Sequence, residues 1–364
     1  MTSEPVPDTE RRVRWIRPRL GFLLPFVLVT LLLIAAISGA AGLGAWRAMR
    51  TTRLTWNGER AAQAADEALA ATAAGWDAEA FAERPIGARW TTVVATGDGT
   101  VADVALARTG PLTVAVEATS RSRVSGSPDT ASRRIARTLA LESSRFPLHG
   151  ALTVLGSAAV TGSANIDGRD SGAAGDGCGR ERDTSSVPGM YAGDASVGAS
   201  AWVRGTVPVI APGSRSVALD GDRVTFDGAW SVAAQRASRR ETVAAAALGS
   251  ARPWSARYVI AADTVSHNVV FVGTTVHDGL LLVDGNLTIG GTLRLRGLLV
   301  VRGALDTRGG VLDVDGGVIV RDAHDGDSQV GGDARVRYSP CSVLRAMAGI
   351  ARPGFAPYGV WIAR

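Results

Sequence analysis

From Leu20 to Trp46 the chain carries no charged residue, and this stretch constrains the fold more than any other. A bilayer's hydrocarbon core takes roughly 20 apolar residues of helix, so the run from Phe22 to Ala45 is long enough to cross one. Pro25, Phe26, Leu32 and Ile37 are the anchor residues of this reading. The run exceeds the apolar region of an ordinary cleaved signal, although Ser38-Gly-Ala-Ala41 imitates a small-residue cleavage site. Arg11, Arg12, Arg14, Arg17 and Arg19 precede it, against Glu4, Asp8 and Glu10. Basic residues stay on the cytoplasmic side, which predicts an inside N-terminus and export of everything after about residue 46. No second run of this kind follows. The expectation is a single-pass anchor with its cargo outside.

The helical pattern continues past the apolar run. Residues 46–74 are rich in Ala, Leu, Met, Arg, Gln and Glu, all good helix formers, and Gly75 is a C-terminal stop. A helix over 22–74 would be roughly 80 Å long at about 1.5 Å per residue. Gly21-Phe-Leu-Leu-Pro25, followed by Met49-Arg-Thr-Thr-Arg53, Asn57 and Arg60-Ala-Ala-Gln-Ala-Ala-Asp-Glu-Ala-Leu69, resembles the N-terminal half of the PilX-type minor pilin family. The resemblance implies processing between Gly21 and Phe22 by a prepilin peptidase. It also implies other pilin-like subunits and the membrane as partners. Pilin subunits carry Glu at the fifth residue after the processed Gly, and here that place holds Phe26. The missing carboxylate removes one registration contact with a neighbouring subunit, which fits a tip, initiating or minor subunit.

Beyond a polar hinge at 76–87, three alternating runs cover 90–95, 101–106 and 112–117, separated by Gly97-Asp-Gly99 and Gly110-Pro111. A fourth run covers 131–141. Together they predict an antiparallel meander.

A second strong signal is a glycine repeat. Gly150, Gly156, Gly162 and Gly168 stand six apart, and so do seven glycines from Gly273 to Gly309. Aliphatic pairs such as Leu281/Val283, Leu287/Ile289, Leu293/Leu295 and Leu299/Val301 alternate between them. Short strands with one inward face and a glycine corner predict a parallel β-solenoid, three units to a turn of 18 residues. Leu280, Leu282, Leu298, Val300 and Val318 are outward and apolar, so one face needs a cover. Residues 231–248 are predicted to be a short helix lying across it. Residues 202–212 and 217–230 read as strand-like fragments of an insertion spanning about 169–270.

The organisation expected is therefore α+β, mainly β. A basic leader (1–21) precedes a transmembrane and stalk helix (22–75) and an antiparallel pilin-like sheet (76–145). A β-solenoid with its insertion (146–345) and a tail (346–364) follow. Cys178 and Cys341 are the only cysteines, and in an exported domain two cysteines suggest one disulfide. Tyr338-Ser-Pro-Cys341 also resembles the family's tail.

Signals for chemistry are sparse. None of His149, His267, His277 and His324 has a ligand at metal spacing. Asp322, Asp325 and Asp327 with Gly326 lack the ordered spacing of a calcium loop. No Gly-x-Ser-x-Gly elbow is present. A polysaccharide lyase needs clustered acidic calcium ligands with Arg or Lys on one face, and Arg296, Arg302 and Arg308 lack such acids beside them. The net charge of +5 is modest, all 39 basic residues are Arg, and Arg133-Arg134 and Arg239-Arg240 are isolated pairs, which excludes a clustered nucleic-acid face. The expectation is a non-enzymatic protein without a cofactor or metal, set in a bacterial inner membrane, with the N-terminus cytoplasmic and the head periplasmic or on a filament. The alternative is an anchored β-helix that binds glycans or acts on polysaccharides.

Overall fold

A computed structural model describes residues 23–97, 100–123, 130–170, 186–237, 239–243, 253–261, 268–322, 327–355 and 361–363. The chain divides into two units, residues 1–60 with 123–131, and residues 61–122 with 132–364.

Helix α1 (Leu23–Ala74) runs without a break through Gly58. Pro25 sits in its first turn, where a backbone N–H has no intrahelical partner to lose. The hydroxyls of Thr30, Thr51, Thr52 and Thr55 donate to carbonyls one turn back, at 2.8–3.0 Å. Gly75 closes the last turn, its N–H donating to Ala71 O at 2.9 Å.

In the second unit, α2 (Ala78–Glu83) is capped by Asp77, which accepts from Ala80 N at 2.9 Å. Four strands follow: β1 (Arg89–Ala95), β2 (Val101–Arg108), β3 (Thr113–Arg123) and β4 (Thr130–Glu142). β1 and β2 pair antiparallel, as do β2 and β3, and β4 stands next in the sheet. Alternate residues Val104, Leu106, Val114 and Val116 turn inward against Ala65, Ala68 and Leu69 of α1 and Phe81 of α2. Arg137 ties the sheet to Asp66 at 2.5 Å, and the Ser120 hydroxyl donates to Ala61 O.

The rest of the chain, in order, is β5 (Leu152–Val160), β6 (Asn165–Asp167), β7 (Met190–Val197), β8 (Trp202–Arg204), β9 (Val209–Ile210), α3 (Val217–Arg236) and β10 (Arg239–Val243). Then come β11 (Ser255–Ala261), β12 (Asn268–Phe271), β13 (Thr274–Asp284), β14 (Asn286–Ile289), β15 (Thr292–Val301) and β16 (Leu305–Asp306). The last elements are β17 (Val311–Val320), β18 (Ser328–Val330), β19 (Arg335–Tyr338), α4 (Pro340–Ala348), β20 (Arg352–Phe355) and β21 (Trp361–Ala363). β20 and β21 both pair antiparallel with β4, so the tail joins the antiparallel sheet.

Strands β5 to β19 form one large parallel sheet of 15 strands. Its register follows the glycine repeat. Leu280 pairs with Leu298 eighteen residues on, and Leu287 pairs with Leu305. Glycine makes the bend in β13, β15 and β17. Gly297 has φ +139°, and a Cβ there would lie 2.0 Å from Gly279 O, so no other residue fits without moving backbone. Leu281, Val283, Leu299, Val301, Val318 and Val320 turn into the main hydrophobic core.

The structure corrects the sequence reading in three places. First, residues 169–270 are not simply an excursion. β7 pairs in parallel with β5, which also pairs with β17, so the first part of the repeat lies beside the last. Second, the helix is at 217–236, whereas 239–243 is strand β10. Leu219, Phe226, Trp230 and Ala233 recur at helical spacing, and that period outweighs the strand preference of Val224-Thr-Phe. Ser216 supplies the cap, accepting from Leu219 N at 3.3 Å. Residues 244–248 of the expected helix lie outside the described residues. Third, Val318 points inward. β15 and β17 are offset by nineteen, so Ile319 takes the outward place beside Val300. The face is covered as its composition demands, by Phe226 and Trp230 of α3 and by Ala346 and Met347 of α4.

Candidate functional site

Gly21 and Phe22 lie outside the described residues, as do Arg11 to Arg19 of the leader. Pro25, Phe26, Leu32 and Ile37 are all exposed on α1, Phe26 by 69%. The helix is the one described element long and apolar enough to cross a membrane. Its apolar part ends at Trp46, whose ring lies 5.5 Å from the Arg50 guanidinium, and Trp56 is exposed further on. Tryptophan and arginine at the end of an apolar helix suit the boundary between lipid and water.

Cys341 is buried at the start of α4, where Ser339 caps the helix and accepts from Ser342 N. Cys178 lies outside the described residues.

The parallel sheet brings together what the sequence scatters. On the face built by the first halves of β13, β15 and β17 with β19, β6 and β8, one outward column reads Asp278, Arg296, Asp315, Arg337, Asp167, Arg204. Every neighbouring pair in it is opposite in sign. Beside it runs Val276, Arg294, Asp313, Arg335, Asn165, Trp202. Arg337 reaches Asp313 at 3.5 Å across the two columns. Aspartates lie beside Arg296, Arg302 and Arg308 in the fold, but as pairing partners, and among the described residues no cluster of acids could hold a metal. Arg296 lies between two aspartates, Arg302 pairs with Asp284 at 3.1 Å, and Arg308 pairs with Asp306 at 2.7 Å. The hydrogen bond from Arg308 holds the Asp306 carboxyl below its ordinary pKa. Comparing residues eighteen or nineteen apart would have exposed the first steps of this ladder. The later steps join distant parts of the chain and have no such signal.

Two histidines are described. His149 Nε2 lies 2.9 Å from Asp222 Oδ1, and the Tyr191 hydroxyl donates to Asp222 Oδ2 at 3.0 Å. Burial, then the hydrogen bond to Asp222, pushes the Tyr191 phenol up to about 12. This cluster fastens α3 to β7 and to the loop before β5. His277 is turned inward on β13, where burial and the nearby Arg257 push it down to about 4, against a hydrogen bond to Leu280 O that raises it. His267 and His324 lie outside the described residues, as do Asp325 and Gly326.

Two further charged groups, Asp322 and Arg108, take structural roles that no local pattern in the sequence gives. Asp322 sits at φ +56° and accepts from Ser157 N at 3.1 Å, joining the end of β17 to β5. Burial pushes it up to about 6, with Asp327 adding to the rise while Arg223 and Arg321 oppose it. The buried Arg108 guanidinium donates to the carbonyls of Phe81, Ala82, Arg84, Gly110 and Pro111 and lies 4.2 Å from the Phe81 ring centre. Burial and Arg345 lower it to about 10. Its partners are the carbonyl end of α2 and a turn, so it binds structure together. Among the described residues no group of three or more His, Cys, Asp or Glu could hold a metal.

No protein-family model matches the chain, and no curated protein matches it. Among solved structures, the crystal structure of the competence-associated pilin ComZ from Thermus thermophilus aligns with 86% of this chain and 97% of its own, at 12% identity and a TM-score of 0.25. Chains that superpose at so low a score need not share a fold.

Proposed function

We propose that this chain is a minor pilin-like subunit of the PilX type, anchored in a bacterial inner membrane as a non-enzymatic part of a type IV pilus or related secretion filament. The observation that carries the reading is α1. One unbroken helix leaves its apolar residues 24–45 exposed, and its last turns pack on an antiparallel sheet. An exposed apolar helix of this length is stable only in lipid or among similar helices. The motif from Gly21 to Leu69 adds its resemblance to the family. On this reading the N-terminus is cytoplasmic, the head is periplasmic or on the filament, and prepilin peptidase cuts between Gly21 and Phe22. The parallel sheet is read as a β-solenoid, supported by its offsets of eighteen and nineteen residues and its glycine bends.

Intact mass and N-terminal peptide analysis of the membrane-extracted protein test the reading. The expected mature chain begins at Phe22. A chain that starts at Met1, or one cut after Ala41, would leave only a generic anchor. The companion proposal is a disulfide between Cys178 and Cys341. Closing so long a loop contributes roughly 4–5 kcal/mol in the chain-entropy model. Two free thiols in oxidised, exported protein would remove it.

A further inference from the structure

The parallel sheet ends differently at its two ends. At the end near β11 the inward positions are closed, apolar Val259, Val269 and Phe271 together with polar Arg257, Thr275 and His277, none more than 4% exposed. At the other end Ala201, Val203 and Val209 face the core but are only partly buried. Trp202, Val207 and Ile210 around them are exposed, Trp202 by 58%. β8 pairs with β6 on one side and, among the described residues, has no strand on the other. The charged column ends here on Arg204, whose guanidinium lies 4.6 Å from the Trp202 ring centre.

We infer that this end receives an extended strand of a partner protein, added to β8 as the next strand of the sheet. The partner strand carries an acidic side chain opposite Arg204 and an apolar one opposite Trp202. Three observations converge on it. Among the described residues no strand pairs with the second edge of β8, which offers backbone donors and acceptors in strand geometry. The half-covered core beside it gains from an apolar neighbour. All five neighbouring pairs in the column's register are opposite in charge, so the position after Arg204 calls for a carboxylate. The chain's own Thr274–Asp278 strand has this pattern, with Val276 in the Trp202 column and Asp278 in the Arg204 column. The inference goes beyond the filament reading and does not rest on it.

The probe is the capped, dye-labelled peptide Thr-Thr-Val-His-Asp, titrated onto the full-length protein in detergent micelles and followed by anisotropy. A peptide ending in Arg in place of Asp is the control. The acidic peptide is expected to bind about tenfold more tightly than the basic one, a ratio worth ~1.4 kcal/mol. Arg204→Glu should invert that preference, and its far-ultraviolet circular dichroism reports whether the fold is retained. Trp202→Ala should weaken both peptides. Failure of the acidic peptide to bind overturns the inference, and so does equal binding of both, or an acidic preference that survives Arg204→Glu. Processing at Gly21 is read separately by mass, so the two proposals fail independently.

Discussion

Two faces of the parallel sheet share a backbone, a repeat and a register, and meet water in opposite ways. The face with Leu280, Leu282, Leu298, Val300 and Ile319 is buried under α3 and α4, with Phe146, Leu148 and Ile350 beside them. The face with the Asp and Arg columns stands open, and Arg294, Arg335 and Val276 are exposed on it. Outward residues decide the difference. A buried aliphatic side chain is worth roughly 1.5–3 kcal/mol, so an apolar face draws a cover from its own chain. Charged columns need none, because each charge finds its opposite one strand away. A cover therefore marks where the fold closes on itself, and an uncovered face marks where it remains available.

The largest test of this contrast places one charge on each face. Leu282→Asp puts a carboxylate between the sheet and α3, and should cost about 4–5 kcal/mol, the range of an unpaired buried charge. Denaturant unfolding followed by tryptophan fluorescence measures it, and protease should then cut near α3. Val276→Asp, at a site 68% exposed, should stay within about 0.5 kcal/mol of the parent. Equal losses at the two positions would erase the distinction between the faces.

Acid should act next, from behind the open face. His277 is held neutral, with its pKa lowered from 6.5 to about 4. A depressed histidine contributes its full stability above the unfolded pKa and loses it as pH falls from 6.5 through 4. At about 1.4 kcal/mol per pKa unit, the loss is of order 3 kcal/mol below pH 4. His277→Gln should flatten that part of the pH profile, measured as the unfolding midpoint against pH. An unchanged slope would show that another group carries it.

The ladder itself should matter less. Arg337→Asp sets three like charges in succession with Asp315 and Asp167. Exposed pairs are worth little, so the expected loss is about 1 kcal/mol at low salt and smaller in 1 M salt, where the Debye length is about 3 Å. A loss that ignores salt would make the column a packing feature.

The smallest effect has the opposite sign. Asp322 is raised to about 6, so its stabilising form is the protonated one, fully present below the unfolded pKa near 3.8 and lost as pH rises through 6. Asp322→Asn keeps the acceptor for Ser157 N and suits the positive φ. At pH 7.5 it should raise stability, by under about 1 kcal/mol after allowance for its partial exposure. A drop would mean that Arg223 and Arg321 need the charge.

The sequence by itself determined the elements that local periodicity controls. The uncharged run from Leu20 to Trp46 and the helix formers after it specify α1, because both follow from spacing along one helix. Alternation in 101–106 and 112–117 specifies β2 and β3, and the glycines at intervals of six specify the bends of β13 and β15, at Gly279 and Gly297. It determined as well that the Leu280 and Leu282 face had to be covered, since a second apolar face cannot remain in water. Tertiary structure alone decided what covers it. Residues 231–248 looked more helical than 217–230 because of their alanines, yet it is Leu219, Phe226 and Trp230, large and apolar at helical spacing, that α3 buries against that face. The one-residue slip between β15 and β17 sent Val318 inward and Ile319 outward, a change that strand pairing sets and composition does not. Only the pairing of β6 with β19 brings Asp167 beside Arg337, and only that of β5 with β17 brings Ser157 beside Asp322. Contacts between residues far apart in the chain depend on the return path of the backbone, and no local pattern records that path.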